Sequence, residues 1–389
     1  MTSWTGRRLQ VEIGPVAHGG HCVARHDGRV IFVRHALPGE EVVVEVTEDR
    51  GGSFCRADAV RVLSASPERV TPPCPVAKPG GCGGCDFQHA TPELQRSLKA
   101  TVLAEQLSHL AGLTVEVEME ALPGGPLAWR TRARLATDDA GRPGFRAHRS
   151  HTVIPIDDCP IAAPGTVDQV TGRVWPPNST VTVAVDASAT THLGPSTAIE
   201  RAVRREWQVP AEGFWQAHPD AADVYAEVVA SWCALSPGDA AWDLYCGVGL
   251  FAAVLADAVG ESGEVIAVES SPSAADAAAE NLSDLAQVRI FAGRVEAVLS
   301  AGIGRPPATV VLDPPRTGAG RKVVTAIASR SPARVVHVAC DPAALARDIA
   351  TFADEGYTLT ALRAFDAFPM THHMECIALL SKKTVSPQA

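Results

Sequence analysis

Cys340 stands where a strand gives way to a helix. In Arg334–Asp348 (RVVHVACDPAALARD) the run 335–339 is apolar and partly β-branched, so it reads as a short buried strand. Pro342 suits a first helical turn, and Ala343–Asp348 continues it. The thiol is thus expected at the carboxyl end of a strand, the edge where open α/β sheets bind ligands. The adjacent helix N-terminus is expected to favour thiolate over thiol. A solitary cysteine is more often buried and inert, so the reading depends on its surroundings. Two carboxylates qualify as partners. Glu375 follows FPMTHHM and opens an apolar run, which makes it a candidate base rather than a surface carboxylate. Asp313 ends a strand before Pro314-Pro315 and could serve a cofactor or a base; the alternative is a turn residue.

A second constellation suggests a nucleoside cofactor. Asp243–Gly249 (DLYCGVG) holds two glycines, Gly247 and Gly249, and so misses the G-x-G-x-x-G dinucleotide fingerprint. The next strand ends in Glu269. A two-glycine turn followed by such an acid fits a cofactor with a ribose diol and no pyrophosphate, because the carboxylate can accept both hydroxyl protons. S-adenosylmethionine has that form. A third constellation is Thr71–His89 (TPPCPVAKPGGCGGCDFQH), where Cys74, Cys82 and Cys85 lie in a loop too rich in Pro and Gly for regular structure. Cys159 lies far downstream in IPIDDCPI. Four thiolates suit a structural zinc or an iron–sulfur cluster. The long gap to the fourth ligand disfavours an ordinary zinc finger, which ranks [4Fe–4S] ahead of zinc, with unligated thiols third.

The elements that must position these groups fall into three units. Residues 1–66 hold short alternating strands separated by Gly and Pro turns, as in a small OB-like β-barrel. Residues 67–212 are β-rich and carry the cysteine loop. They include one clear helix over 91–113, with Thr91 as N-cap, Pro92 at N1 and Gly112 as terminator, expected to pack on the third unit. Residues 213–389 alternate strand and helix, with strands expected at 240–245, 264–269, 288–291, 309–313, 335–339, 357–364 and 374–380. Seven strands with helices between most of them make an α/β, doubly wound sheet.

Charge is distributed unevenly. The net charge of −10 argues mildly against a nucleic-acid partner, but between Glu206 and Val288 there are 14 acids and no Lys or Arg, which reads as a solvated acidic face. Arg130, Arg132, Arg134, Arg142, Arg146 and Arg149 cluster instead and are a candidate phosphate surface or, alternatively, a solubilising strand face. No apolar run reaches membrane-spanning length, and MTSWTGRRLQVEI lacks the apolar core of a signal peptide, so a cytoplasmic protein is expected, with no membrane partner.

Taken together, these motifs resemble the RNA (uracil-5-)-methyltransferase family, especially its iron–sulfur ribosomal-RNA branch. VARHDGRVIFVRHALPGEEVVVEV resembles a TRAM domain, an RNA-binding barrel. FWQ at 214–216, DLYCGVGLF at 243–251, LDPPRTG at 312–318, CDPAALARD at 340–348 and FPMTHHMEC at 368–376 follow in one order. The resemblance implies a class I methyltransferase fold, Cys340 as nucleophile and Glu375 as general base. It further implies that Gln216, Tyr245, Glu269 and Asp313 bind S-adenosylmethionine, and that Cys74, Cys82, Cys85 and Cys159 hold a [4Fe–4S] cluster. Leu250, Arg294 and His218 depart from the family pattern, where Asn, Asn or Asp, and Asn are usual. The implied reaction is 5-methyluridine formation in 23S ribosomal RNA by a monomer. The transfer-RNA T-loop is the alternative substrate, and a non-catalytic RNA-binding protein is an alternative of another class. The chemistry is coherent in its own right. A thiolate adding to uracil C6 makes C5 enolate-like, a base must then remove the C5 proton, and the base must leave its stack to be reached.

Overall fold

The structure is a computed structural model that describes residues 3–383; the last six residues of the expected third unit lie outside it. The N-terminal strands form one six-stranded sheet in the order Arg8–Glu12, Glu41–Glu48, Phe54–Ser64, Arg29–Arg34, His21–His26 and Val16–Ala17. Its first and fifth strands also approach each other, which curls the sheet around Ile31, Val33, Val42 and Val44. Alternation decides which side chains go inward, as in Arg8–Glu12, where Leu9 and Val11 are buried and their neighbours exposed. Buried Glu40 ties the sheet to the chain that leaves it. Its carboxylate accepts from Arg69 Nε and Nη2 at 2.6 and 2.7 Å and from the Leu37 and Ser66 N–H groups.

The middle of the chain forms an antiparallel sheet of Val153–Pro155, Pro143–Arg146, Arg132–Thr137, Thr180–Val185 and Thr191–Leu193, followed by a hairpin of Thr197–Ala202 and Arg205–Pro210. The helix expected over 91–113 spans Pro92–Ala111. The Thr91 side chain caps the Leu94 N–H, and Gly112 ends the helix in the left-handed conformation.

The C-terminal sheet has eight strands in the order Val288–Ala292, Glu264–Glu269, Ala240–Leu244, Thr309–Leu312, Arg334–Ala339, Glu375–Lys382, Tyr357–Asp366 and Met119–Ala121. The seven expected strands are all there. The eighth comes from upstream of the middle sheet and runs parallel to Tyr357–Asp366. Both faces are covered. Trp242, Leu244, Ile266, Val310 and Leu312 join one core with helix Pro92–Ala111 and with helices Gly320–Ser329 and Pro342–Asp354. Ala241, Val265, Ala267 and Val311 join the other with helices Ala221–Cys233 and Leu250–Val259. This two-sided burial explains the near-continuous apolar strands. Successive strands cross to opposite sides of Ala240–Leu244, so the topological switch point lies at its carboxyl end.

Helix Pro92–Ala111 packs against helix Pro342–Asp354. Its Lys99, 1% exposed, donates from Nζ to Asp366 Oδ1 at 2.5 Å and to the Phe368 carbonyl at 3.1 Å. Gln95 holds the next loop from the same helix, its Oε1 accepting from the Met370 N–H at 2.8 Å. The cysteine loop adds two bonds, from the Asp86 and Phe87 N–H groups to the Met370 carbonyl, both 2.9 Å. Segment 367–374, which precedes Glu375, is therefore pinned from two other parts of the chain.

Candidate active site

Register builds the centre of the site. Strands Arg334–Ala339 and Glu375–Lys382 are antiparallel, with Ala339 opposite Cys376. The next step along each chain places Cys340 and Glu375 across from one another at the sheet edge. Parallel registers bring Leu244 beside Val268 on one side and Leu312 on the other, so Tyr245, Glu269 and Asp313 follow at the same edge. Asp341 caps helix Pro342–Asp354 by accepting from the Ala344 N–H at 2.8 Å, and His18 of the N-terminal sheet meets its other oxygen at 3.1 Å.

Cys340 is half-buried and opens on a cleft lined by His18, Arg316, Asp341, His372 and His373. Burial, reinforced by Glu375 and Asp313 and only partly opposed by Arg316, pushes its thiol up to about 12. This reverses the expected thiolate. The helix end offers little help because Asp341, itself an acid, occupies it as cap, while the carboxylates face the sulfur. Glu375 is 4% exposed with Oε1 unpartnered, and burial, with Asp313 next, pushes it well above the ordinary carboxylate range. Burial pushes Asp313 up to about 7, with His337 drawing it down and Glu269 raising it. Close enough at this edge for Asp313 to raise Glu375, the two cannot both hold a full negative charge at neutral pH.

The expected cofactor residues fall along the same edge. Gly247 donates its N–H to Glu269 Oε2 at 3.0 Å, and the Ser271 N–H reaches Oε1 at 2.6 Å. The turn is tight, with Tyr245 at φ +66 and Gly249 at φ +100. A Cβ at Gly249 would lie 2.6 Å from Leu282 Cδ1, so glycine is required there. Gln216 is buried between Trp215 and Ala217, just ahead of helix Ala221–Cys233.

Three supports were not read from the sequence. Asp243, fully buried in Ala240–Leu244, leaves both carboxylate oxygens without a partner, and burial, then Asp313, pushes it up to about 8. An acid inside a strand buried on both faces was the available signal. Such acids without cationic partners suit a ligand that brings positive charge, and S-adenosylmethionine carries a sulfonium and an ammonium. Tyr225 buries an unpartnered hydroxyl near enough to Glu375, Asp313 and Cys340 for their charges, after burial, to push it up, and no local pattern marked it. Asp348 accepts from His337 Nε2 at 3.1 Å and from the Ala319 and Gly320 N–H groups at 2.7 and 3.0 Å, which fixes the loop after Asp313.

Of the departures from the family pattern, Leu250 is buried at the start of helix Leu250–Val259. Arg294 is exposed beside Glu296, and His218 is buried and stacked on Trp129. The arginine cluster divides. Arg132 is structural, donating to Glu200 at 2.9 Å and to three backbone carbonyls, whereas Arg134, Arg142, Arg146 and Arg149 are exposed. The acidic stretch is not wholly a solvated face, since Asp243 lies within it.

Cys74, Cys82, Cys85 and Cys159, the last of them 74 residues beyond Cys85, line one cavity with Phe145, Ile156 and Ile161. The Gly84 N–H points at Cys82 Sγ at 3.3 Å, while burial pushes the Cys159 thiol up and the Ile161 and Ala162 N–H groups only partly offset this. Four thiols around one largely apolar cavity are the donor set that an iron–sulfur cluster uses. Among the described residues no group of three or more His, Cys, Asp or Glu side chains is arranged to hold a single metal ion.

The fold and edge define a Rossmann-like class I methyltransferase with an N-terminal TRAM domain. The TRAM domain family matches residues 3–60, the tRNA (Uracil-5-)-methyltransferase family residues 306–383, and the Protein-L-isoaspartate(D-aspartate) O-methyltransferase family residues 217–303. An uncharacterized RNA methyltransferase of Streptomyces coelicolor is 46% identical, over 97% of this chain and 93% of its own. The 23S rRNA (uracil(1939)-C(5))-methyltransferase RlmD of Alkalilimnicola ehrlichii is 32% identical, over 96% and 97%. The crystal structure of Pyrococcus abyssi tRNA (uracil-54, C5)-methyltransferase in complex with S-adenosyl-L-homocysteine superimposes with a TM-score of 0.71 at 21% identity, covering 95% of this chain and 99% of that one. The chain belongs to the RNA (uracil-5-)-methyltransferase family, whose enzymes depend on S-adenosylmethionine.

Proposed function

We propose that this enzyme methylates C5 of a uridine in 23S ribosomal RNA through a covalent bond between Cys340 and C6 of the base. The observation that carries the reading is the pairing of Ala339 with Cys376, which sets a thiol and a buried carboxyl face to face at the ligand-binding edge. S-adenosylmethionine, when bound, supplies an electrophilic methyl group on a sulfonium. Cys340 gives up its thiol proton to solvent in the open cleft as Sγ bonds to C6, and the C5–C6 π pair moves toward C5 and O4, so C5 gains enolate character. After C5 has taken the methyl group, Glu375, which the positive charge of the bound cofactor would hold as a carboxylate, accepts the C5 proton and the Sγ–C6 bond breaks, returning the thiolate. Gln216, Tyr245, Gly247, Glu269 and Asp313 form the cofactor wall in this reading, with Asp243 beneath it. The similarity to a relative named for 23S ribosomal RNA supports the substrate class. The Cys340→Ala protein is expected to lose methyl transfer while still binding S-adenosylmethionine by calorimetry. Undiminished turnover would remove Cys340 from the mechanism. Mapping 5-methyluridine in ribosomal and transfer RNA from a deletion strain tests the substrate, and loss confined to transfer RNA would overturn the ribosomal assignment.

Cys74, Cys82, Cys85 and Cys159 hold a [4Fe–4S] cluster in the same reading, a staple that ties the loop at 71–89 to the middle sheet. Anaerobic purification should give a brown protein with about four irons, as such a site requires; stoichiometric zinc would overturn the assignment. The three units 1–66, 67–212 and 213–389 then act as RNA-binding barrel, cluster-bearing unit and catalytic unit of a cytoplasmic monomer. Among the described residues no helix is long and apolar enough to cross a membrane.

A further inference from the structure

One imidazole beside Cys340 is held with more care than the chemistry above requires. His372 Nδ1 lies 2.6 Å from Asp86 Oδ2, and the His372 backbone N–H donates to the same oxygen at 3.1 Å. Asp86 follows Cys85 in the cysteine loop, and its other oxygen accepts from Arg34 Nη2 at 3.4 Å. The N-terminal sheet closes over the pair through Gly20 (φ +77). A Cβ there would lie 2.8 Å from His372 Cβ and 3.1 Å from Asp86 Cβ. Three separate parts of the chain thus fix one ring. That ring is 28% exposed and lines the cleft that holds Cys340. Its Nε2 has no hydrogen-bond partner among the described residues.

The tautomer follows from the partner. An ionised carboxylate only accepts, so the shared proton belongs to His372 Nδ1. With its proton on Nδ1, the ring presents a lone pair at Nε2. Uracil carries an N–H donor at N3, whereas cytosine has a lone pair there. We propose that His372, oriented by Asp86, accepts the N3–H of the target uracil in the cleft beside Cys340 and so selects uracil over cytosine. Cytosine would set two lone pairs against each other, leaving a polar group without a partner. This deepens the proposed function and rests on it.

The test uses the cluster-bearing enzyme and a short 23S ribosomal RNA transcript centred on uridine 1939, the position in the relative's name. The target base is uridine, N3-methyluridine or cytidine, and affinity is read by filter binding in the presence of S-adenosylhomocysteine. Wild type should bind the uridine transcript about tenfold to hundredfold more tightly than either substitute, as expected for one lost hydrogen bond in a closed site. The His372→Ala protein should bind all three within about threefold of one another, by the same argument. His372→Gln, whose amide oxygen can accept, should recover part of the discrimination, and it also serves if the alanine protein does not fold. A purely structural role would weaken all three transcripts equally, so unchanged discrimination in both variants overturns the proposal. Failure of wild type to methylate any uridine of 23S ribosomal RNA would instead defeat the functional reading, and the proposal with it.

Discussion

Cys340 in the ligand-free enzyme should react as a protonated thiol. Burial and the Glu375 and Asp313 carboxyls raise it from 9.0 to about 12. At pH 7.5 that lowers the thiolate fraction from about 3% to about 0.003%, roughly a thousandfold. Brief treatment with iodoacetamide between pH 6 and 10, followed by mass spectrometry of the peptide containing Cys340, measures the rate at this cysteine alone. The rate should rise about tenfold per pH unit across the range without a plateau, as thiolate chemistry requires. Glu375→Gln removes a like charge. At 6–12 Å and an effective dielectric of about 20, such a charge costs roughly 1.4–2.8 kcal/mol, so alkylation should quicken about tenfold to hundredfold. The gain should appear on the alkaline limb, because Glu375 is itself held protonated at lower pH. A plateau centred at or below pH 8 in the wild-type protein would refute the argument, since the carboxyls would then not govern the sulfur.

Asp243→Asn removes a buried acid whose folded-state value, about 8, lies above its unfolded value, 3.8. The folded wild type therefore holds a proton that the unfolded chain has lost, and its stability falls as pH rises from about 4 to 8. The urea midpoint of the ligand-free variant should exceed that of wild type by more at pH 8 than at pH 5, while S-adenosylmethionine binds about tenfold more weakly, as for one lost charge contact; an equal gap at both pH values would count against the assignment. Lys99→Met leaves Asp366 buried without its cation and should cost about 3–5 kcal/mol in denaturant unfolding. Much of that loss should return in the Lys99→Met, Asp366→Leu double variant, and a near-neutral single variant would show that the pair does not hold helix Pro92–Ala111 to the sheet.

The C-terminal sheet was legible because its signals are local. Apolar runs of strand length alternate with helical segments, and Asp341-Pro342 starts a helix by the ordinary rules for N-cap and N1. Helix Pro92–Ala111 was likewise written in Thr91, Pro92 and Gly112. Strand Met119–Ala121 was assigned to the middle unit because three residues carry no mark of a partner strand more than 240 residues away. The arginine cluster looked uniform because charge counts do not show that Arg132 turns inward to Glu200.

The sequence by itself determined the class of chemistry: a thiol at a strand end, an acid opening the last strand, a two-glycine turn and four cysteines in suitable loops. Residue type and spacing suffice there, because strand ends and helix caps are fixed by neighbours along the chain. Only tertiary structure decided that Glu375 faces Cys340, that Asp243 and Tyr225 stand behind them, and that Asp86 reaches His372 from 286 residues away. It also reversed the expected ionisation of Cys340, because the charge on a sulfur depends on burial and on which carboxyls fold against it, and these are properties of packing rather than of order along the chain.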